Sequence, residues 1–359
     1  AERMLRILRR NQGREREMKW DFAIGNPAYQ DQTLGDNKGF APPIYDKFID
    51  AACEIADKVE MIHPARFLFN AGSTPKAWNE KMLNDPHFKV LEYEEDAAKV
   101  FSNTDIKGGV AITYHDEGKD FGGIIVFTKY PELNSIMKKV NVTTEDDSLM
   151  SIIYLQNKFN LQALYDDFPK IKSVIGSEGK DKRFRNNIFE KVDVFLESKN
   201  SAADISVLGV IKNKRVWRYI SEKYVDKTHE NIDTWKVLVA RVNGAGTIDE
   251  VLSSPLVIGP HCGYTQTFIG VGAFDTKENA ENALKYVKTK FARALLHVLK
   301  VTQDNNRDVW KYVPLQDFTD KSDINWNTSI ANIDKQLYKK YGLSQEEIDF
   351  IETHVKEMV

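Results

Sequence analysis

The sequence predicts an α/β chain: a sheet unit first, then a mixed α+β domain, then a helical tail. Three observations predict it. Short apolar runs alternate with segments of helical period as far as Tyr114. After Pro131 that alternation loosens into strand-like runs and glycine turns. Near the end, Ser344 followed by Glu347 forms a capping box that opens a last helix.

The elements follow in order. Trp20 to Gly25 reads as a short buried strand that stops at the turn Asn26-Pro27-Ala28-Tyr29. Pro43 to Ala52 has apolar residues at helical spacing and predicts an amphipathic helix. Lys58 to Leu68 predicts a strand ended by Pro64; Trp78 to Leu83 a helix; Phe88 to Tyr93 a strand. Val100 to Tyr114 reads as a loop leading into a strand.

The Asn26–Tyr29 turn is the most informative stretch. Ligands of open α/β sheets bind outside the carboxyl ends of strands, which is where this turn falls. Asn26 offers a side-chain carbonyl acceptor to an amino group, and Pro27 stiffens the backbone so that its own carbonyl is a second acceptor. Tyr29 provides a ring on which a flat base can stack. Two acceptors facing one planar amino group hold that nitrogen for attack on a methyl donor.

This turn resembles motif IV, Asn-Pro-Pro-Tyr, of the N6-adenine DNA methyltransferases. The wider stretch Lys19 to Gln30 is similar to the methylases of restriction–modification systems. Ala28 stands where that family usually has a second Pro, a change that leaves the backbone carbonyls in place. The resemblance implies a catalytic set Asn26, Pro27, Ala28 and Tyr29, and by position it implies that Phe101 stacks on the opposite face of a flipped adenine. It also implies S-adenosyl-L-methionine as cofactor, with Asn26 and Tyr45 bordering its pocket; core packing is the other reading of Tyr45. Arg66 reads as a phosphate contact or a local salt bridge, and His63 as a structural residue.

The fold implied is part of a Rossmann-like methyltransferase sheet, followed by a target-recognition domain and the helical tail. The boundaries expected are 1–140, 141–325 and 326–359. In such methylases a Gly-rich cofactor loop precedes motif IV, whereas Ala1 to Lys19 is basic, with Arg3, Arg6, Arg9, Arg10, Arg14 and Arg16 and no such loop. Phe268 to Asp275 has the look of a displaced cofactor loop, but suits a recognition domain better. The expectation is therefore that the cofactor-binding strands come from a preceding segment or a partner subunit, bound beside Asp21 to Gly25. A sheet cut there would expose an apolar edge, which folded proteins avoid.

Composition narrows the classes. Hydrophobic residues make up 42%, as in ordinary globular chains. With 50 basic against 53 acidic residues the net charge is −3, so any DNA-binding face is a local patch. Cys53 and Cys262 are far apart, without CxxC spacing, a reduced, cytoplasmic pattern. No apolar run reaches the length of a membrane span, and the seven histidines include no HxxxH pair.

The second half carries the candidate DNA-binding residues: Arg183 and Arg185 around Phe184, then Lys212, Lys214, Arg215, Trp217 and Arg218 in a segment that looks like a hairpin, then Arg241 in the strand running from Trp235 into a glycine turn. Tyr286 to Leu296 predicts a helix. Such segments track phosphates and read bases, or form solvated strand faces. The reading is a site-specific adenine-N6 DNA methyltransferase of a restriction–modification system, acting on double-stranded DNA by base flipping. The alternatives are a noncatalytic DNA-recognition subunit completed by a partner, and an RNA or protein-glutamine methyltransferase. The sequence contains no convincing Asp…Glu-x-Lys nuclease set.

Overall fold

The computed structural model describes residues 19–31, 41–69, 72–102, 106, 108–244, 246–300 and 303–358; the basic stretch before Lys19 lies outside them. The chain divides into two compact units, Ala1–Asn134 and Ser135–Val359. Both mix helices with sheet.

In the first unit four strands form one sheet in the order β1-β2-β4-β3: β1 (Ala23–Gly25), β2 (Lys58–Pro64), β3 (Phe88–Glu94) and β4 (Val110–Asp116). β1 runs parallel to β2, with Ala23 opposite Val59 and Gly25 opposite Met61. β4 is antiparallel to both β2 and β3. Alternation along β2 sends Val59, Met61 and His63 into the core. Helix α1 (Tyr45–Ile55) covers that face with Tyr45, Ile49 and Ala52, spaced as one helical stripe. Helix α2 (Lys76–Asn84) adds Trp78 and Met82, and Phe67, Phe88 and Phe127 fill the space between. Cys53 is a free thiol packed against this cluster, its pKa pushed up to about 12 by burial.

One element departs from the sequence reading. The Trp20–Gly25 run is an edge rather than a buried strand. Among the described residues only β2 pairs with β1, and alternate side chains on one face are exposed: Trp20 is 70% exposed, Phe22 44% and Ile24 74%. Between them Ala23 packs on the core.

The second unit holds two further sheets. One has the order β10-β6-β7, from β6 (Ile205–Ile211), β7 (Lys214–Ile220) and β10 (Cys262–Tyr264). The other has the order β5-β11-β8-β9, from β5 (Ile153–Tyr154), β8 (Trp235–Ala240), β9 (Leu256–Ile258) and β11 (Phe268–Phe274). The glycines of the Phe268 segment sit inside β11, not in a loop. A Cβ at Gly270 would lie 2.4 Å from the Tyr264 hydroxyl, so glycine there serves close packing against a buried ring. Lys236 in β8 is fully buried, and its Nζ donates to the backbone carbonyls of Asn231 (2.5 Å), Ile232 (3.1 Å), Thr234 (3.0 Å) and Gly259 (3.2 Å). A cation enclosed in this way does not track phosphates.

The helix expected over 286–296 is two helices, α3 (Lys277–Lys288) and α4 (Lys290–His297). Thr289 breaks the run because its hydroxyl accepts from Ala292 N and caps the second helix. The tail forms α5 (Ile330–Lys340) and α6 (Gln345–His354), and the capping box of Ser344 with Glu347 is present. Glu347 also receives Lys139 at 2.6 Å and Ser135 at 2.7 Å, while Asp334 accepts from the backbone N–H groups of Lys290 and Phe291. No helix among the described residues is long and apolar enough to cross a membrane.

Candidate active site

β1 runs parallel to β2 and stops at Gly25 opposite Met61, so continuing the register carries Asn26 and Pro27 to the level of Ile62 and His63, still within β2. The turn is tied down from the far side by the approach to α1: Ile44 N donates to Tyr29 O (3.2 Å), and Asp31 N donates to Pro42 O (2.9 Å). The Asn26 side chain is exposed and makes no hydrogen bond among the described residues; the Pro27 carbonyl likewise accepts none. Two acceptors at a strand end are thus open to an incoming donor.

Tyr29 and Phe101 come together. Their ring centroids are 6.4 Å apart at 65°, an edge-to-face pair with no parallel gap between them. A planar group entering between them would turn one ring. Both rings are half-buried. The Tyr29 hydroxyl is buried without a hydrogen-bond partner among the described residues, and burial raises its pKa.

Tyr45 is placed differently. Its ring belongs to the core, 5.6 Å from His63 at an interplanar angle of 2°, and it also meets Phe67 and Trp78. Its hydroxyl interacts with Thr74, which donates to Asn79. His63 beneath it is fully buried. Its Nε2 lies 2.7 Å from Thr113 Oγ1 and its Nδ1 3.1 Å from its neighbour's carbonyl, Pro64 O. Burial lowers its pKa to about 4, so the ring is neutral at physiological pH and serves as a stacked support.

This has a consequence for acid stability. The folded-state pKa of His63 lies below its ordinary 6.5, so its stabilising contribution is present above that value and is lost as pH falls through about 4. The shift corresponds to about 3 kcal/mol. Protection factors in β2, corrected for intrinsic exchange at each pH, are expected to fall over that window in the native chain and to stay level in His63→Gln. Equal pH profiles for the two proteins would show that His63 is not the titrating group.

Arg66 follows β2 in a short 3-10 turn, half-buried, with its stem against Gly72 and Gly108. A Cβ at Gly108, where φ is +89°, would meet Arg66 Cγ at 2.9 Å. Asp46, in the first turn of α1, carried no sequence signal, since acidic residues are ordinary at helix starts. It is buried, its Oδ1 has no hydrogen-bond partner among the described residues, and burial raises its pKa.

The basic candidates of the second unit divide into engaged and open groups. Arg183 and Arg185 both grip the buried Asp181, at 2.7 and 2.6 Å, and hold its carboxyl well below the usual range. Arg241 pairs with Asp304 at 3.4 Å, and Arg218 with Glu197 at 3.1 Å. Arg215 donates to two carbonyls, those of Ser253 and Ser254. Trp217 is 37% exposed on the same strand. Lys212 and Lys214 are exposed at the hairpin end, and neither makes an ion pair among the described residues. The hairpin therefore gathers Lys212, Lys214, Arg215, Trp217 and Arg218, while Arg183 and Arg185 cluster at Asp181. No group of three metal-ligating side chains occurs among the described residues.

Residues 4–101 match the family model of the Eco57I restriction-modification methylase. That range contains the Asn26–Tyr29 turn, Tyr45, Arg66 and Phe101, and it supports a restriction–modification methylase reading for this part of the chain. No curated protein matches. Among solved structures, a Type IIL restriction-modification enzyme, MmeI, in complex with DNA overlaps 93% of this chain and 56% of its own, at 8% identity and a TM-score of 0.33. The chain thus spans little more than half the length of that enzyme, and the overlap is too loose to bear on fold or site.

Proposed function

We propose that this chain carries the target-base site of a DNA methyltransferase that modifies the N6 amino group of adenine, as the modification component of a restriction–modification system. The observation that carries the reading is the pair of open acceptors on Asn26 and Pro27 at a strand end, with the Tyr29 and Phe101 rings brought together within a range matching the methylase family. Residues 1–140 supply this site, 141–325 the sequence-reading surface and 326–359 a helical tail.

The target base has to leave the duplex to reach such a turn, and stacking on Tyr29 and Phe101 recovers part of the lost base stacking. Asn26 Oδ1 and the Pro27 carbonyl accept the two amino hydrogens, which fixes the nitrogen lone pair in one direction. The nitrogen takes up the methyl group, and one of its protons passes to solvent. S-adenosyl-L-methionine, when bound, would supply an electrophilic methyl, whose carbon–sulfur bond breaks so that a neutral thioether leaves. The described residues around the turn provide no Gly-rich loop to hold it, and Tyr45 lies in the core. On this reading the donor is held elsewhere, by a preceding segment or a partner polypeptide, as the family resemblance implies.

The exposed edge of β1 supports that second requirement. Trp20, Phe22 and Ile24 form an apolar face on a strand whose second edge is unpaired among the described residues, a template for a further strand. Light scattering is expected to show concentration-dependent association of the native chain. Ile24→Lys should stay monodisperse with thermal stability changed by no more than about 0.5 kcal/mol, because the side chain is already exposed. A native chain as monodisperse as the variant would remove this support.

The direct test is incorporation of labelled methyl from S-adenosyl-L-methionine into mixed-sequence duplex DNA, with RNA and protein as competing acceptors, by the chain joined to the segment or partner that holds the donor. No incorporation with retained DNA binding would favour a noncatalytic recognition subunit. Preferential labelling of RNA or protein would replace the DNA reading.

A further inference from the structure

The turn between β6 and β7 consists of Lys212 and Asn213, with φ of +47° and +61°, the two-residue hairpin geometry in which both central residues are left-handed. Asn tolerates this conformation; Lys does so at a cost, where Gly would serve the backbone better. Lys212, Asn213 and Lys214 are all exposed.

The stalk behind the tip is rigid. Ile205, Val207 and Ile220 belong to one core cluster and Leu208 to another, and a Cβ at Gly209 would lie 2.3 Å from the Phe189 ring. Arg215 fastens the tip sideways. Its Nη1 donates to Ser254 O (2.8 Å) and its Nη2 to Ser253 O (2.6 Å), while the guanidinium lies 5.5 Å from the Phe268 ring centre. The loop that receives it is itself braced, because Asn243 donates to Val251 O and accepts from Ser253 N. Both carboxylates of that loop are paired, Asp249 with Lys356 and Glu250 with Lys300. The positive charge of Lys212 and Lys214 is thus not offset by the neighbouring loop.

We infer that the Lys212–Asn213 tip is the base-reading element of the second unit: Asn213 faces a base edge in the major groove, Lys212 and Lys214 sit on flanking phosphates, and Arg215 positions the tip instead of touching DNA. This rests on the DNA reading above. A two-stranded ribbon fits the major groove, and an Asn amide pairs bidentately with adenine there.

The test uses the full chain and a randomised duplex DNA pool, with sequencing of bound DNA and affinity measured across salt. The native chain is expected to select a sequence. Asn213→Ala should lose discrimination at one position by on the order of 10- to 100-fold, with the salt slope unchanged. The double substitution Lys212→Ala with Lys214→Ala should flatten the slope of log affinity against log salt by about 2. Arg215→Lys keeps the charge but loses the two-carbonyl grip; it should blur the same preference without changing the slope. Arg215→Ala flattening the slope by about 1, with rescue by Lys, would make Arg215 a phosphate contact and overturn its assignment. Selection and slope unchanged in the Asn213 and lysine variants, while the native chain selects, would overturn the inference and leave the DNA reading standing. A native chain that binds no duplex even at low salt would overturn both.

Discussion

Asn26→Ala is expected to lower methyl transfer into duplex DNA by about 100-fold or more, the scale seen when one preorganised polar group is removed from around a reacting centre. The side chain is exposed and makes no hydrogen bond among the described residues, so its loss should leave thermal stability within about 0.5 kcal/mol of the native chain. That combination separates a chemical role from a structural one. Asn26→Asp retains an acceptor at the same place and should keep more activity than the Ala variant. DNA affinity should change little in either, because the phosphate contacts that dominate affinity lie elsewhere. Transfer that persists in Asn26→Ala would remove the turn from the chemistry, and the methylase similarity of residues 4–101 would then need another site.

Lys236→Met is expected to destabilise the second unit by about 3–5 kcal/mol, the range for removing one partner from a buried charged cluster. The four carbonyls that now accept from Nζ would face an apolar side chain of similar size, and each unpaired buried acceptor is costly. Burial pushes the Lys236 pKa down to about 8, which still leaves the ammonium charged at neutral pH. The cluster joins the turn before β8 to the carbonyl of Gly259, just after β9. Its loss should therefore appear as a melting temperature lower by about 10 °C and as faster hydrogen exchange at both places. A Met variant as stable as the native protein would show that the carbonyls find other partners.

Much of the local structure was legible from pattern. The α1 stripe of Tyr45, Ile49 and Ala52, the end of β2 at Pro64, the hairpin around Lys212 and the Ser344–Glu347 box all follow from spacing and turn chemistry, which act between near neighbours. The candidate turn at Asn26 was legible for the same reason, as a short motif with its own chemistry. The break at Thr289 was not, because a Thr at a helix start and a Thr within one helix differ only in where the hydroxyl points.

What the sequence by itself determined is therefore most elements of the first unit, the hairpin around Lys212, the cap of the last helix, the polar turn with two acceptors and an aromatic at its rim, and the segments that carry positive charge. The tertiary structure decided which of those residues are open. It left Trp20, Phe22 and Ile24 exposed, drew Tyr45 and Lys236 into the core, joined Tyr29 to Phe101, and occupied Arg183, Arg185 and Arg215 with internal acceptors. The physical reason is that exposure and pairing depend on residues distant in the chain. Period and propensity report a residue's neighbours along the sequence. Whether a cation meets a carbonyl, a carboxylate or solvent is settled only when remote segments meet.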